Sequence, residues 1–296
     1  MRSFLRPLVI AIPLIVLACS MSYSAEPGIN LNDPSLLEIS SSATATRVPR
    51  PLPNLKFVSY NIRWRSGDEL RELARLFETD AEIGGASVLA LQEVDRNKKR
   101  SRNKNSAAFL AAEFRMHYAW AAPPAGRAAA EEETGVAILS PYPLSEVRRL
   151  VLPHKGPGGR RRVALGATVK IGTTKVRVYS VHAETRIPVD SKIGQMKAVL
   201  DDLACYPPTM PAAILGDFNT WEPVAVTKTF TLFADAGFHT PFEREPTFLR
   251  RVLLVPVELK LDWIWLRKLA ATSYGIDKKV GLSDHWPLWI NLSDKL

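Results

Sequence analysis

Six short apolar runs, each carrying a polar residue at one end, constrain this chain more than any other feature. Phe57-Val-Ser-Tyr-Asn61 ends in an amide, Leu89-Ala-Leu-Gln-Glu93 in a carboxylate and Val178-Tyr-Ser-Val-His182 in an imidazole. Ile214-Leu-Gly-Asp217-Phe-Asn219 adds a carboxylate and an amide two residues apart, Asp262 stands at the head of Leu261-Asp-Trp-Ile-Trp, and Asp284-His285 precede the last apolar run. Runs of this length and composition, bounded by turn residues, read as buried strands. Further strands are expected at Gly135–Leu139, Val163–Ile171, Lys175–Val181 and Trp286–Leu292. Helices are expected over Ser106–Met116 and Ser191–Ala204, and another after a capping box at Ser66 and Glu69, with Leu70, Leu73, Ala74 and Phe77 on one face. About three helices against eight or more strands disfavour an alternating barrel and favour an α/β layered sandwich, paired sheets with helices packed outside.

The amino terminus stands apart from this pattern. Arg2 and Arg6 flank an apolar stretch from Pro7 to Ala18, the form of a secretory signal and too short for a comfortable membrane span. Ile15-Val-Leu-Ala-Cys19 resembles the lipobox of bacterial lipoproteins, which makes Cys19 the expected lipid attachment site; ordinary cleavage near Ser22–Ala25 is the other ending. Either one exports the protein. Residues 20–54, rich in Ser, Thr, Ala and Pro, read as a flexible tether, leaving 55–296 as one folded domain. With Cys19 lipidated or removed, Cys205 has no intramolecular partner and is expected as a small buried hydrophobe. The 39 Lys and Arg against 30 Asp and Glu give a net charge of +9, of which the two signal arginines account for only two, so the folded part favours anionic partners.

Hard oxygen ligands such as Asn61, Glu93 and Asp284 suit Mg²⁺ or Mn²⁺, and the absence of a usable cysteine set argues against structural zinc. The segments Ser59-Tyr-Asn61-Ile, Leu91-Gln-Glu93-Val-Asp95, Ser180-Val-His182, Gly216-Asp217-Phe-Asn219-Thr220, Leu261-Asp262-Trp-Ile264 and Ser283-Asp284-His285-Trp-Pro-Leu288 resemble, in order, those of the endonuclease/exonuclease/phosphatase superfamily. The resemblance implies a four-layer α/β/β/α sandwich of the DNase I-like kind with its site at one rim. It also implies that Asn61, Glu93 and Asp284 hold the divalent metal, that Asp217 orients the attacking water, that Asn219 and His182 bind phosphoryl oxygens, and that Asp262 pairs with His285. Whether Asp217 or His285 is the general base stays open at the level of sequence, with Asp217 favoured.

Substrate is the least constrained property. Arg96–Lys104 holds six positive charges in nine residues, and Arg160-Arg-Arg162 precedes the strand leading to His182; Arg63 and Arg162 are the expected phosphate contacts. Nucleic acid is the first expectation, as substrate of an endonuclease or exonuclease, although these basic loops lack interleaved aromatics. Phospholipid, sphingomyelin or inositol phosphate is the alternative, with Phe248–Val257 either a lipid contact or a core strand leading to Asp262. A tethered binding protein that lost its chemistry is the reading of another class, and the completeness of the polar set disfavours it.

Overall fold

The computed structural model describes residues 30–40, 55–124, 133–253 and 255–293. The expected export signal, Cys19 and most of the expected tether lie outside these residues. Among the described residues, no helix is long and apolar enough to cross a membrane.

Two sheets dominate. The first has seven strands in the order β1 (Leu37–Ser40), β4 (His117–Ala121), β5 (Glu133–Ser140), β3 (Val88–Arg96), β2 (Lys56–Asn61), β14 (Leu288–Leu292), β13 (Ala271–Ile276). The second has five, β12 (Asp262–Arg267), β9 (Ala212–Asp217), β8 (Thr174–His182), β7 (Val163–Ile171) and β6 (Leu144–Val151). A separate hairpin pairs β10 (Phe248–Val252) with β11 (Val255–Leu259).

Alternation along the strands decides the layering, because successive side chains leave a strand on opposite faces. On β2, Phe57 joins the core between the sheets, with Val88, Leu165, Val178, Leu215 and Ile264, while Val58 and Tyr60 face the other way. There they meet Leu70, Leu73 and Phe77 of α1 (Gly67–Thr79) and Leu110 and Phe114 of α2 (Ser106–Phe114). The outer face of the second sheet is covered in the same manner by Met196 and Val199 of α3 (Val189–Leu203) and Phe233 of α4 (Pro223–Asp235). The four-layer α/β/β/α sandwich is therefore present.

Several local expectations are corrected. Residues 30–40, expected within the tether, carry β1, which pairs antiparallel with β4. Ser66 caps α1 by position but makes no side-chain capping bond, and the Glu69 carboxylate pairs with Arg65 at 2.7 Å in place of the reciprocal bond to the Ser66 N–H. Phe248–Val257 is not a core strand: it belongs to the hairpin, whose turn residue Leu253 is 93% exposed. Cys205 is not buried either; it follows the end of α3 on the surface.

Register brings the polar ends together. β2 runs parallel to β3, and β8 parallel to β9, so Asn61, Glu93, His182 and Asp217 emerge at one rim. β12 runs antiparallel to β9 with Asp262 opposite Asp217, and β14 antiparallel to β2, so the residues that begin or precede these strands reach the same rim.

Candidate active site

The rim encloses a cavity of about 500 Å³. Glu93, His182, Asp217, Asn219, Asp284, His285, Arg63 and Arg162 all line it. Asn61 and Asp262 are buried directly behind, each bonded to a lining residue. All ten residues expected from the sequence thus contribute to one constellation.

Asp217 sits at its centre. Its Oδ2 accepts from Asn61 Nδ2 at 3.0 Å, and its Oδ1 accepts from the Asn219 backbone N–H at 3.0 Å. Two imidazoles flank the carboxylate, His182 Nε2 at 3.6 Å and His285 Nε2 at 3.7 Å. Gly216 makes this approach possible: it has φ +147°, and a Cβ there would come within 2.0 Å of the Val181 carbonyl oxygen. Burial pushes the Asp217 pKa up, with Asp262 and Glu93 acting in the same direction against His285 and Asn61.

The two histidines are in opposite electrostatic settings. Burial disfavours the charged form of both. At His285 the carboxylates of Asp262 and Asp217 overcome that penalty and raise the pKa to about 10, with Asp262 Oδ2 accepting from Nδ1 at 2.8 Å. At His182 burial is reinforced by Arg162, His285 and Arg160, so the ring stays neutral well below its ordinary value. With Arg162 Nη1 3.4 Å from Nδ1, that nitrogen is the acceptor, leaving Nε2 to carry the proton towards the cavity.

Glu93 occupies a β-bulge, where the β3–β5 register shifts between Gln92 and Val94. Its φ of +55° is uncommon for a side-chain-bearing residue, and the bulge turns the carboxylate out of the pleat into the cavity. Glu93 Oε2 is buried without a hydrogen-bond partner, as befits a carboxylate that takes a cation. Asp284 lies in the same cavity, with Arg63 Nη1 at 3.3 Å. Asn61 is engaged where it stands: Nδ2 donates to Asp217 and Oδ1 accepts from the Arg63 backbone N–H, which leaves that oxygen a second lone pair. Asn219 is likewise engaged: Nδ2 donates to the Ala183 carbonyl and Oδ1 accepts from Thr185 Oγ1. Asp217, Asp262 and His285 also lie close enough to share an ion, but the Asp262–His285 bond accounts for that proximity.

Three contributors were not among the expected site residues. Thr247 donates to Asp262 Oδ2 at 2.7 Å and fixes the carboxylate that charges His285. Glu184, fully buried, holds Arg160 at 2.8 Å and Arg162 at 3.2 Å. Phe248, at the foot of the hairpin, places its ring 4.9 Å from that of His285. None belongs to an apolar run ending in a polar residue.

The basic loop lies apart from the cavity. None of Arg96–Lys104 lines the cavity. Arg96 is tied to Glu38 and Glu133, and Arg100 to Asp95 at 2.6 Å while its guanidinium lies 4.3 Å from the centre of the Trp64 ring. The cations at the cavity are Arg63, Arg162 and Arg250, and its aromatics are Trp64, Trp221 and Phe248.

Residues 58–285 match the model of the Endonuclease/Exonuclease/phosphatase family. The chain belongs to this family. Its members are hydrolases that act on phosphoester bonds and use divalent metals. Among solved structures, an endonuclease/exonuclease/phosphatase family protein from Leptotrichia buccalis C-1013-b superposes with a TM-score of 0.63 at 16% identity, over 81% of this chain and 99% of that one. D. rerio TDP2 complexed with single strand DNA product gives 0.62 at 15% identity over 81% and 99%. Sphingomyelinase C from Streptomyces griseocarneus gives 0.55 at 16% identity over the same shares. No curated protein matches the sequence. At these identities the structural likenesses establish the fold, and the family assignment rests on the matched sequence.

Proposed function

We propose that this protein is a metal-dependent phosphodiesterase whose substrate is nucleic acid. The observation that carries the catalytic reading is the Asp217 carboxylate set between two imidazoles, beside a buried Glu93 oxygen with no partner. Glu93 and Asp284 would hold Mg²⁺ or Mn²⁺, with Asn61 adjacent, and the ion would neutralise phosphate charge and stabilise the departing alkoxide. Asp217, its pKa raised by burial, accepts a proton from the attacking water. The new bond forms between that water oxygen and phosphorus, and the bond to the leaving alkoxide breaks. The His285 imidazolium and His182 Nε2–H hydrogen-bond the phosphoryl oxygens as negative charge gathers on them. Asp262 keeps His285 charged, and Asn61 and Asn219 hold Asp217 in register.

Support for nucleic acid comes from the cavity wall. Trp221, half exposed at the cavity mouth, offers a ring on which a base can stack, and Arg63, Arg162 and Arg250 offer charge for the backbone. Release of nitrophenol from bis(p-nitrophenyl) phosphate that requires Mg²⁺ or Mn²⁺ and stops with EDTA tests the chemistry. Cleavage of single-stranded DNA or RNA in preference to sphingomyelin and inositol phosphates tests the substrate, and the reverse preference overturns that part. A lipid phosphodiester is the second reading, favoured by the exposed Leu253 and Val255 on a hairpin whose other residues line the cavity. We also propose that the protein is exported and lipid-anchored through Cys19, on the strength of its first nineteen residues; fractionation and mass spectrometry of the mature amino terminus test this.

A further inference from the structure

Beyond Trp221 lies a second hollow. Trp221 lines the catalytic cavity and also a neighbouring one of about 220 Å³, walled by Pro223, Val226 and Thr227 of α4, by Arg244 and by Lys260. The two charged residues of that wall are both cations. Arg244 is exposed and has no ion-pair partner among the described residues. Lys260 is only 7% exposed, and its Nζ is buried without a hydrogen-bond partner; it rests 4.2 Å from the centre of the Trp263 ring. An aromatic face compensates part of the cost of burying an ammonium but offers no acceptor for its three N–H groups. No nearby acid makes an ion pair with it: Asp262 is committed to His285 and Thr247, Glu222 is held by Lys192 at 2.7 Å, Glu243 lines the chamber that Arg244 also walls, and the exposed Glu245 acts on the ammonium through charge alone.

We propose that the Lys260–Arg244 hollow is a second anion subsite, which takes a phosphate group one step along the chain from the one hydrolysed over Asp217. Trp221 is then the partition between the two phosphates and the face on which the intervening base stacks. The inference rests on the phosphodiesterase reading and narrows it: the preferred substrate carries at least two phosphates, so an oligonucleotide is favoured over an isolated diester. Lys260 leaves the Trp263 face to meet the ligand, and the hydroxyl of Thr227 adds a neutral donor.

Three dithymidine substrates test the subsite, one with a 5′-phosphate, one with a 3′-phosphate and one with neither. One phosphorylated form should have a KM about tenfold lower than the bare dinucleotide in the wild type, the effect of one charge-assisted contact. That ratio should fall to near one in Lys260→Met and in Arg244→Ala, and recover in part in Lys260→Arg. Arg244 is on the surface, so its variant keeps the test open should Lys260→Met fail to fold. Calorimetric titration with inorganic phosphate in the presence of Mg²⁺ separates this proposal from the choice of substrate: two sites are expected in the wild type and one in Lys260→Met. Two sites without dinucleotide cleavage would sustain the subsite and remove the nucleic-acid reading. A single phosphate site in the wild type, or a KM ratio that survives both substitutions, overturns the subsite.

Discussion

His182 and His285 approach the same carboxylate oxygen, at 3.6 and 3.7 Å, yet their surroundings shift their pKa values in opposite directions, His182 down and His285 up. The side built by β8 surrounds its imidazole with arginines that Glu184 holds in place, and the side built by β12 and the approach to β14 surrounds its imidazole with carboxylates. Distance to Asp217 is therefore not what distinguishes the two rings. The neighbours one contact further out set one as a neutral donor and the other as a fixed cation, which gives a phosphoryl group two different kinds of hydrogen bond.

Removing the shared centre should break both sides at once. Asp217→Asn is expected to lower kcat by roughly 10³-fold with folding intact, as judged by circular dichroism alongside bis(p-nitrophenyl) phosphate turnover. Retention of activity would move the base elsewhere. Next in size, Asp262→Asn leaves His285 without its main source of charge. It should cost about 10²-fold in kcat at neutral pH and move the alkaline limb of the pH–rate profile to lower pH. His182→Gln should cost about tenfold, because only one neutral donor is lost, and should leave the position of that limb alone. If Asp262→Asn and His182→Gln shifted the profile alike, the contrast between the two sides would be gone.

Stability gives the same contrast without turnover. The His285 pKa is raised in the folded protein, so protonation stabilises the fold below its ordinary value of 6.5, and that contribution is lost as pH rises towards about 10. Asp217, raised from 3.8 to about 7, acts in the same direction at lower pH, so its share is already lost where that of His285 begins to fall. The Tm of the metal-free protein should therefore fall across this window, and His285→Gln should flatten the fall. The smallest effect belongs to the basic loop: Arg100→Ala should raise KM only a few-fold, through the Trp64 ring it supports, and Lys99→Ala should change nothing measurable.

The rim was legible in the sequence because each of its residues closes or opens an apolar run, and strand register then has little freedom over where it goes. Thr247 and Glu184 were not legible because they act through other side chains from loops with no periodicity. α4 was hidden by its β-branched residues, Val224, Val226, Thr227, Thr229 and Thr231, which favour strands in isolation and are helical here because Phe233 buries against the second sheet. The loop from Arg96 to Lys104 misled for a different reason: a run of charges shows its sign but not its partners, and Glu38, Asp95 and Glu133 come from elsewhere in the chain. The bulge that aims Glu93 arises from pairing with β5 and leaves no mark on the sequence of β3.

β1 has a practical meaning of its own. The family match begins at residue 58, but residues 37–40 hydrogen-bond along the outer side of β4, and Glu38 ties the two together through Tyr118 and Arg96. A recombinant protein begun between β1 and β2 would bare the backbone donors and acceptors of a strand bearing Tyr118 and Trp120, inviting edge-to-edge aggregation. Starting the chain ahead of residue 30 is thus a requirement for keeping the enzyme monodisperse.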